Sequence, residues 1–521
     1  MKIERTKNAG RNIVFGALLK IYQIAIPFLM RTIMIYFMGV EYLGLNSLFT
    51  SILQVLNLAE LGVGSAMIFS MYRPIAEDDS ITICALMKLY RTYYRVIGLV
   101  IAVVGIILTP FIPYLIKSDL PAELNIYILY LLNLAVTVLS YWLFAYKNSL
   151  LQAHQRVDVI SKVTLLTNTI QYILQILVLI LLKNYYIFVI VSLATQAMTN
   201  IITAIVATKM YPDYHPKGQL SKHSVKEINQ RIKDLFTAKL GGTIVNSADT
   251  IVISTFLGLS MLAIYQNYYY IMNSVMGFVM IIFTACTAGI GNSLVVESKD
   301  KNYFDFKRLA FLTMWIGTIC ICCFTCLYQP FMKIWVGEKY LLDMKMVILL
   351  CIYFYLYLIN NLSCVYKDAG GIWHEDRYRP LIGSMVNLTV NLILVNHIGI
   401  YGVVISTICS YTFISMPWLI HNLFKLIFNR SPKEYIELIY KGILIAGIIA
   451  AACYGICRLI PATGMVQIIV YGVICLMISN VLLILVYHRN PMYDPFLELC
   501  DKVTKYKFHK VVTKLKLGGE N

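Results

Sequence analysis

Lys20, Gln23, Pro27 and Arg31 follow one another at intervals of three, four and four residues inside an apolar run. On a helix that spacing puts all four on one stripe. A cation near the centre of a membrane helix costs about 2.5–3.5 kcal/mol, whereas each Leu, Ile, Phe or Val returns only about 0.3–0.6 kcal/mol. Residues 12–37 contain thirteen such apolar side chains, so Lys20 and Arg31 together cancel nearly all of the gain. The charged side of this helix therefore has to face protein or a watery cavity. Two further sets share this character. Asn57, Glu60 and Gly64 fall on one helical face, and Lys239, Thr243, Asn246 and Thr250 form a second stripe with Asp249 beside it. Lys20, Arg31, Asn57, Asn246 and Lys239 are the candidate binding residues; Glu60, Asp249 and Pro27 are the candidate coupling and hinge residues. Lys20 and Lys239 also have a plainer reading, as cations close enough to a membrane interface to snorkel. Arg31 and Glu60 have one as structural ion-pair partners. Pro27 removes the backbone bond to the Gln23 carbonyl and so permits a bend between the two cations.

The two stripes are related to one another. Phe37-Met38-Gly39 returns as Phe256-Leu257-Gly258, Gly62-Val63-Gly64 as Gly289-Ile290-Gly291, and Pro113 as Pro330. Lys20 returns as Lys239, and Tyr146-Lys147-Asn148 with His154 returns as Tyr366-Lys367-Asp368 with His374. Order and spacing are kept at an offset near 220 residues. One hydrophobic unit is written twice, and duplication in a membrane protein marks a transporter whose site lies between repeats.

The elements that carry these residues follow from composition. Hydrophobic residues make up 59% of the chain and charged residues 14%, and mean hydropathy is +0.71. A soluble protein of 521 residues cannot bury that much apolar side chain, so the bilayer is its solvent. Spans are expected near 12–37, 43–70, 92–116, 124–151, 157–182, 186–208, 235–257, 261–294, 308–332, 344–366, 379–398, 400–424, 438–460 and 464–487. With the N-terminus in the cytoplasm, the external loops hold only Lys117, Lys183, Lys333, Lys339, Lys345 and Arg458. Apart from Lys20 and Arg31, every other one of the 44 Lys and Arg residues falls at the cytoplasmic side. The net charge of +17 is thereby explained without nucleic acid.

The expected architecture is an all-α polytopic membrane protein of about 14 helices. Residues 1–208 form an N-lobe, 209–234 a cytoplasmic linker and 235–425 a C-lobe, with a further helix pair in 426–488 and a basic cytoplasmic tail in 489–521. In the tail, positions 508, 511, 512 and 515 line an apolar helical face opposite Lys507, Lys510 and Lys514. This fits a surface helix on anionic lipid, or an ordinary solvated basic tail. No cleavable signal is expected, because the basic start runs directly into a full-length span. The 13 cysteines fall mostly within apolar runs and read as small helix-compatible side chains. Cys320 and Cys323 fit a CxxC pattern, but no His or carboxylate lies near them in sequence to complete a metal site. No nucleotide-binding loop, zinc-protease motif or voltage-sensor ladder is present. Neither a catalytic residue, a metal nor a cofactor is expected.

The run Leu58-Ala-Glu-Leu-Gly-Val-Gly-Ser-Ala66, followed by Met71-Tyr-Arg-Pro-Ile-Ala-Glu-Asp78, resembles the second-helix signature of the Wzx-type polysaccharide repeat-unit flippases. Ser140-Tyr141 with Tyr146-Lys147 and Leu150-Leu-Gln-Ala153, Gly241-Gly242 with Asn246, and Asp249-Thr-Ile-Val-Ile-Ser254 extend the likeness. So do Tyr265-Gln-Asn-Tyr268, Gly291-Asn292 and Asp376-Arg-Tyr-Arg-Pro380. The resemblance spans the first twelve helices. It implies membership of the MOP superfamily, with the multidrug exporters of the MATE type and the lipid II flippases. It further implies two pseudo-symmetric six-helix lobes around a central cleft, alternating access, and a bacterial plasma membrane. The implied substrate is an undecaprenyl-diphosphate-linked oligosaccharide, with the polymerase and glycosyltransferases as further candidate partners.

The residues suit such a substrate. Lys20 and Arg31 complement a diphosphate in a low-dielectric site. Tyr22, Asn57, Asn246, Gln266, Asn267 and Tyr268 offer amides and aromatic faces to sugars. Glu60 and Asp249 are placed to exchange a proton or bind a cation, and Asp249 is also a candidate gate partner for Arg31. Two other readings compete. A MATE-like exporter of organic cations would share the fold but need an acid-dominated site. A scaffold subunit of a membrane synthase would not need charges at repeat-equivalent positions.

Overall fold

The computed structural model describes residues 5–117 and 124–504, and these are helical with no strand among them. The tail positions from 508 to 515 lie outside the described residues. Helices α1 (Arg5–Phe37), α2 (Val40–Leu56), α3 (Val63–Ala76), α4 (Ser80–Leu108), α5 (Ile126–Trp142), α6 (Tyr146–Ala153), α7 (Val157–Leu177) and α8 (Tyr185–Met210) make up the first part of the chain. Then come α9 (Lys222–Leu257), α10 (Leu259–Val296), α11 (Lys299–Trp335), α12 (Met344–Ala369), α13 (Arg379–Ile398), α14 (Ile400–Ser410) and α15 (Met416–Asn422). The chain continues with α16 (Lys433–Leu459), α17 (Gly464–Tyr487) and α18 (Tyr493–Thr504).

Polar caps start many of these helices. Asp79 accepts from the Thr82 amide at 3.0 Å, Asn184 from Ile187 at 3.1 Å, Ser221 from Ser224 at 3.1 Å and Asp343 from Met346 at 3.0 Å. Each satisfies an amide that the first helical turn leaves without a partner. Among the described residues, twelve helices are long and apolar enough to cross a membrane, or thirteen if the bent pair Ile126–Trp142 and Tyr146–Ala153 is one span. Large apolar side chains such as Ile107, Leu181 and Leu476 stand more than half exposed along them, as lipid-facing positions do. The span expected at 235–257 lies in α9, where Ser247–Leu257 is an apolar segment among the described residues.

By packing, the chain falls into two units, residues 1–266 with 395–400, and residues 267–394 with 401–521. Helix α9 belongs to the first because it lies against α2 and α3. The division into lobes at 209–234 remains our proposal. In the first unit α1 packs on α7 and α2, and α4 on α5. The approach of α2 to the start of α10 is very close: a Cβ on Gly44 would stand 2.2 Å from the Leu259 carbonyl oxygen. Gly44→Ala is therefore expected to lower the melting temperature of the detergent-purified protein, by a destabilisation of about 1–3 kcal/mol. Gly455→Ala, where the added methyl meets nothing within 4 Å, serves as the control and should leave it unchanged.

The internal duplication has a backbone counterpart. Gly39 (φ 114°, ψ 164°) joins α1 to α2, and Gly258 (φ 88°, ψ 172°) joins α9 to α10 in nearly the same conformation. A side chain is strained at such positive φ, so both repeats use glycine at the same turn. The repeats then diverge. α10 runs unbroken through Gly289 and Gly291, whereas the corresponding segment of the first repeat breaks between Glu60 and Val63. The second unit is built around α11, against which α12, α16 and α17 pack.

Candidate functional site

The break in the first repeat corrects the expectation of one continuous helix over 43–70. After α2, Asn57–Glu60 forms a 3₁₀ turn, Leu61 is not helical, and Gly62 takes a left-handed conformation (φ 88°) before α3 begins. Gly62 is set directly on α9, where an added Cβ would lie 2.8 Å from the Leu235 Cβ. The signal for the break was present in the sequence as Gly62-x-Gly64 immediately after two polar residues. Interrupted membrane helices of this kind are where transporters bind ions and substrates, because unwound backbone and polar side chains become available there.

Three tyrosines line the break. The rings of Tyr90 and Tyr94 stack at 5.9 Å between centroids, and those of Tyr94 and Tyr141 at 6.0 Å. Tyr90 donates to the Gly64 carbonyl at 3.3 Å and Tyr141 to the Asn57 side-chain oxygen at 3.2 Å. A Cβ on Gly64 would lie 3.0 Å from Glu60 Oε1 and 3.3 Å from the Tyr94 hydroxyl, so Gly64 leaves room for carboxylate and phenol to converge. Glu60 lies near enough to all three phenols to interact with them electrostatically. This tyrosine wall comes from α4 and α5, and sequence spacing around Glu60 contains no hint of it. Chemically, a half-buried carboxylate among phenols and an amide oxygen can take up a proton or coordinate a small cation.

Lys20 and Gln23 are exposed on α1, and Pro27 and Arg31 are half-buried. α1 continues as one helix through Pro27. Tyr22 faces α7, where its hydroxyl meets that of Thr169 at 3.0 Å and its ring lies 6.1 Å from Tyr172. Asp249 is half-buried on α9. On the same helix Thr250, 2% exposed, accepts from Gln266 at 3.0 Å. The side chains of Lys239 and Asn246 lie outside the described residues, although their backbone belongs to α9. Asn267 and Tyr268 are buried. The Tyr268 hydroxyl donates to Gln329 at 3.2 Å and accepts from the Leu342 amide at 3.1 Å. Tyr268 is thus a packing residue with both hydrogen-bonding roles used, which corrects its reading as a sugar contact.

The repeat-related landmarks beyond the stripes differ in charge. Lys367 pairs with Asp368 at 2.7 Å and Asp376 at 3.4 Å, and Asp376 is also held by Arg379. Arg379 reaches Ser415, which in turn donates to Asn360 at 2.9 Å. Its counterpart region in the first repeat pairs Arg156 with the fully buried Asp158 at 2.9 Å. His154 is buried there against Tyr211, with ring centroids 4.2 Å apart, and burial pushes its pKa down. The cysteines also differ from their sequence reading. Cys326 on α11, Cys457 on α16 and Cys475 on α17 are buried with their sulfurs within 4.8 Å of one another. Three thiols gathered from three helices could hold a soft metal ion, a juxtaposition that the CxxC spacing on α11 does not reveal.

The family described as "Polysaccharide biosynthesis protein" matches residues 9–288 of this chain. Among curated proteins, none matches significantly. Among solved structures, the lipid II flippase MurJ in an inward closed conformation is similar, with a TM-score of 0.65 at 15% identity over 91% of this chain and 99% of that one. An inward-facing multidrug resistance MATE family transporter of the MOP superfamily gives a TM-score of 0.59 at 15% identity, covering 79% and 94%. A MOP superfamily transporter from Pyrococcus furiosus, described as having a binding pocket of reversed polarity, gives 0.51 at 12% identity, covering 82% and 97%. The chain thus has the MATE- and MurJ-like fold of the MOP superfamily.

Proposed function

Because the chain belongs to the polysaccharide biosynthesis protein family, we propose that it flips an undecaprenyl-diphosphate-linked oligosaccharide repeat unit across the bacterial plasma membrane by alternating access. The observation that carries this reading is the pair of cations, Lys20 and Arg31, on one stripe of a membrane-spanning α1. An anionic diphosphate is the group such cations would hold, and the attraction strengthens as water is excluded. The fold shared with MurJ supports a lipid-linked substrate. The broken helix around Glu60 supplies a place for a coupling ion on the same unit. The distribution of Lys and Arg supports cytoplasmic termini.

A MATE-like exporter of organic cations is the second reading. It is favoured by the shared fold and by the carboxylates Glu60 and Asp249. Complementation separates the two. In a strain lacking its flippase, this protein should restore surface polysaccharide and clear the accumulated lipid-linked oligosaccharide. Resistance to cationic drugs without any effect on that accumulation would favour the exporter.

A further inference from the structure

The duplicated Tyr-Lys motif is paired in one repeat and unpaired in the other. Lys367 has two carboxylates, Asp368 and Asp376. Its counterpart Lys147 is 5% exposed and, among the described residues, has neither an ion pair nor a hydrogen-bond acceptor; its ammonium lies over the face of Tyr146, 5.9 Å from the ring centroid. The reason can be read from the 220-residue offset. Asn148 stands where the second repeat has Asp368, and Arg156 where it has Asp376. Both counter-charges are missing, and the Asn148 side-chain oxygen is itself buried without a partner. A charge on so enclosed a side chain is disfavoured while it lacks a counterion, and an anion bound in the space that Lys147 lines would supply one.

The surroundings of Lys147 indicate which anion. It lines a cavity of about 490 Å³ together with Lys209 and His215. Much of the remaining lining is apolar and outward-facing, with Phe144, Ile201 and Ile205 each more than 40% exposed. Lys209 lies at the end of α8 and His215 in the loop beyond it. Cations at the end of a span beside an apolar lipid-facing wall match an amphiphile whose head is anionic and whose tail lies along the helices.

We propose that this cavity is a docking site for the diphosphate headgroup of a polyprenyl lipid, held by Lys147 with Lys209 and His215 and with the first isoprenoid units on Phe144, Ile201 and Ile205. The proposal rests on the flippase reading for its choice of lipid, and it adds a second anion site on the same unit, distinct from the α1 stripe. Lys147 acts there as the primary counter-charge. The docked lipid would wait at the cytoplasmic edge of the helices before it is moved.

The test uses the full-length protein in phosphatidylcholine nanodiscs, titrated with farnesyl diphosphate, phosphatidylglycerol or inorganic diphosphate. Binding is read by native mass spectrometry and by the shift in melting temperature. Farnesyl diphosphate should bind at least about tenfold more weakly to Lys147→Met, with no loss of melting temperature in the ligand-free state, because an unpaired buried charge has been replaced by an apolar side chain. Asn148→Asp should weaken binding similarly by giving Lys147 the internal partner that Lys367 has, whereas Lys147→Arg should retain most of it. Equal binding of farnesyl diphosphate to the wild type, Lys147→Met and Asn148→Asp would overturn the site. Phosphatidylglycerol or inorganic diphosphate binding as tightly as farnesyl diphosphate would overturn the assignment to a polyprenyl diphosphate. Complementation judges the flippase reading without reference to Lys147, so the two failures are separable.

Discussion

Arg31→Ala is expected to abolish surface polysaccharide while the protein still reaches the membrane at normal levels. A charge-assisted hydrogen bond is worth about 1.5–3 kcal/mol, so losing the guanidinium should slow transport by roughly 10- to 150-fold even before other contacts weaken. Arg31→Lys keeps the charge but loses the planar two-pronged donor, so it should recover only part of the activity. Lys20→Ala should have the smaller effect of the two, since Lys20 is exposed and Arg31 half-buried, and exposed charges are better screened. The measurement is surface polysaccharide alongside an immunoblot of the membrane fraction in a flippase-null strain. Normal polysaccharide from a well-expressed double variant lacking both cations would sink the assignment of diphosphate binding to α1.

Glu60→Gln is expected to leave substrate binding intact and to remove the dependence of transport on an ion gradient. Glutamine fills the same space at the end of the 3₁₀ turn and keeps a side-chain oxygen that can accept a hydrogen bond. It cannot exchange a proton or present a full charge to a cation. In proteoliposomes loaded with lipid-linked oligosaccharide, the ratio of flipping rates with and without a proton or sodium gradient should fall to about one. A seriously misfolded variant would instead lose binding, which the same preparation reports. Asp249→Asn is the companion variant, because Asp249 is the other half-buried carboxylate on the spans of the first unit that were singled out from sequence. If both variants keep full gradient-dependent transport, neither carboxylate is an essential coupling site.

What the sequence by itself determined is what depends on one helix at a time or on simple recurrence. Membrane helices were legible because apolar length is a local property. The repeat was legible because turns demand particular residues. Gly39 and Gly258 stand 219 positions apart in matching positive-φ conformations, as the recurring Phe-x-Gly tripeptides suggested. The stripe of Lys20, Gln23, Pro27 and Arg31 followed from helical periodicity alone. Even the broken second span was within reach, since Gly62-x-Gly64 follows Asn57 and Glu60, although it was read there as one face of a continuous helix.

The tertiary structure alone decided which side chains meet across helices. Tyr90, Tyr94 and Tyr141 converge on Glu60 from α4 and α5, whereas Tyr268, equally plausible as a surface aromatic, spends its hydroxyl on Gln329 and Leu342 within the packing. Cys326, Cys457 and Cys475 come together from positions up to 149 residues apart. The same motif leaves Lys367 clamped between carboxylates and Lys147 buried without one, a difference of partners rather than of local pattern. Helical periodicity fixes the direction of a side chain relative to its own axis. Distances between axes are set by the packing of whole faces, such as the seam where Gly44 admits the Leu259 carbonyl, and no single helix carries that information.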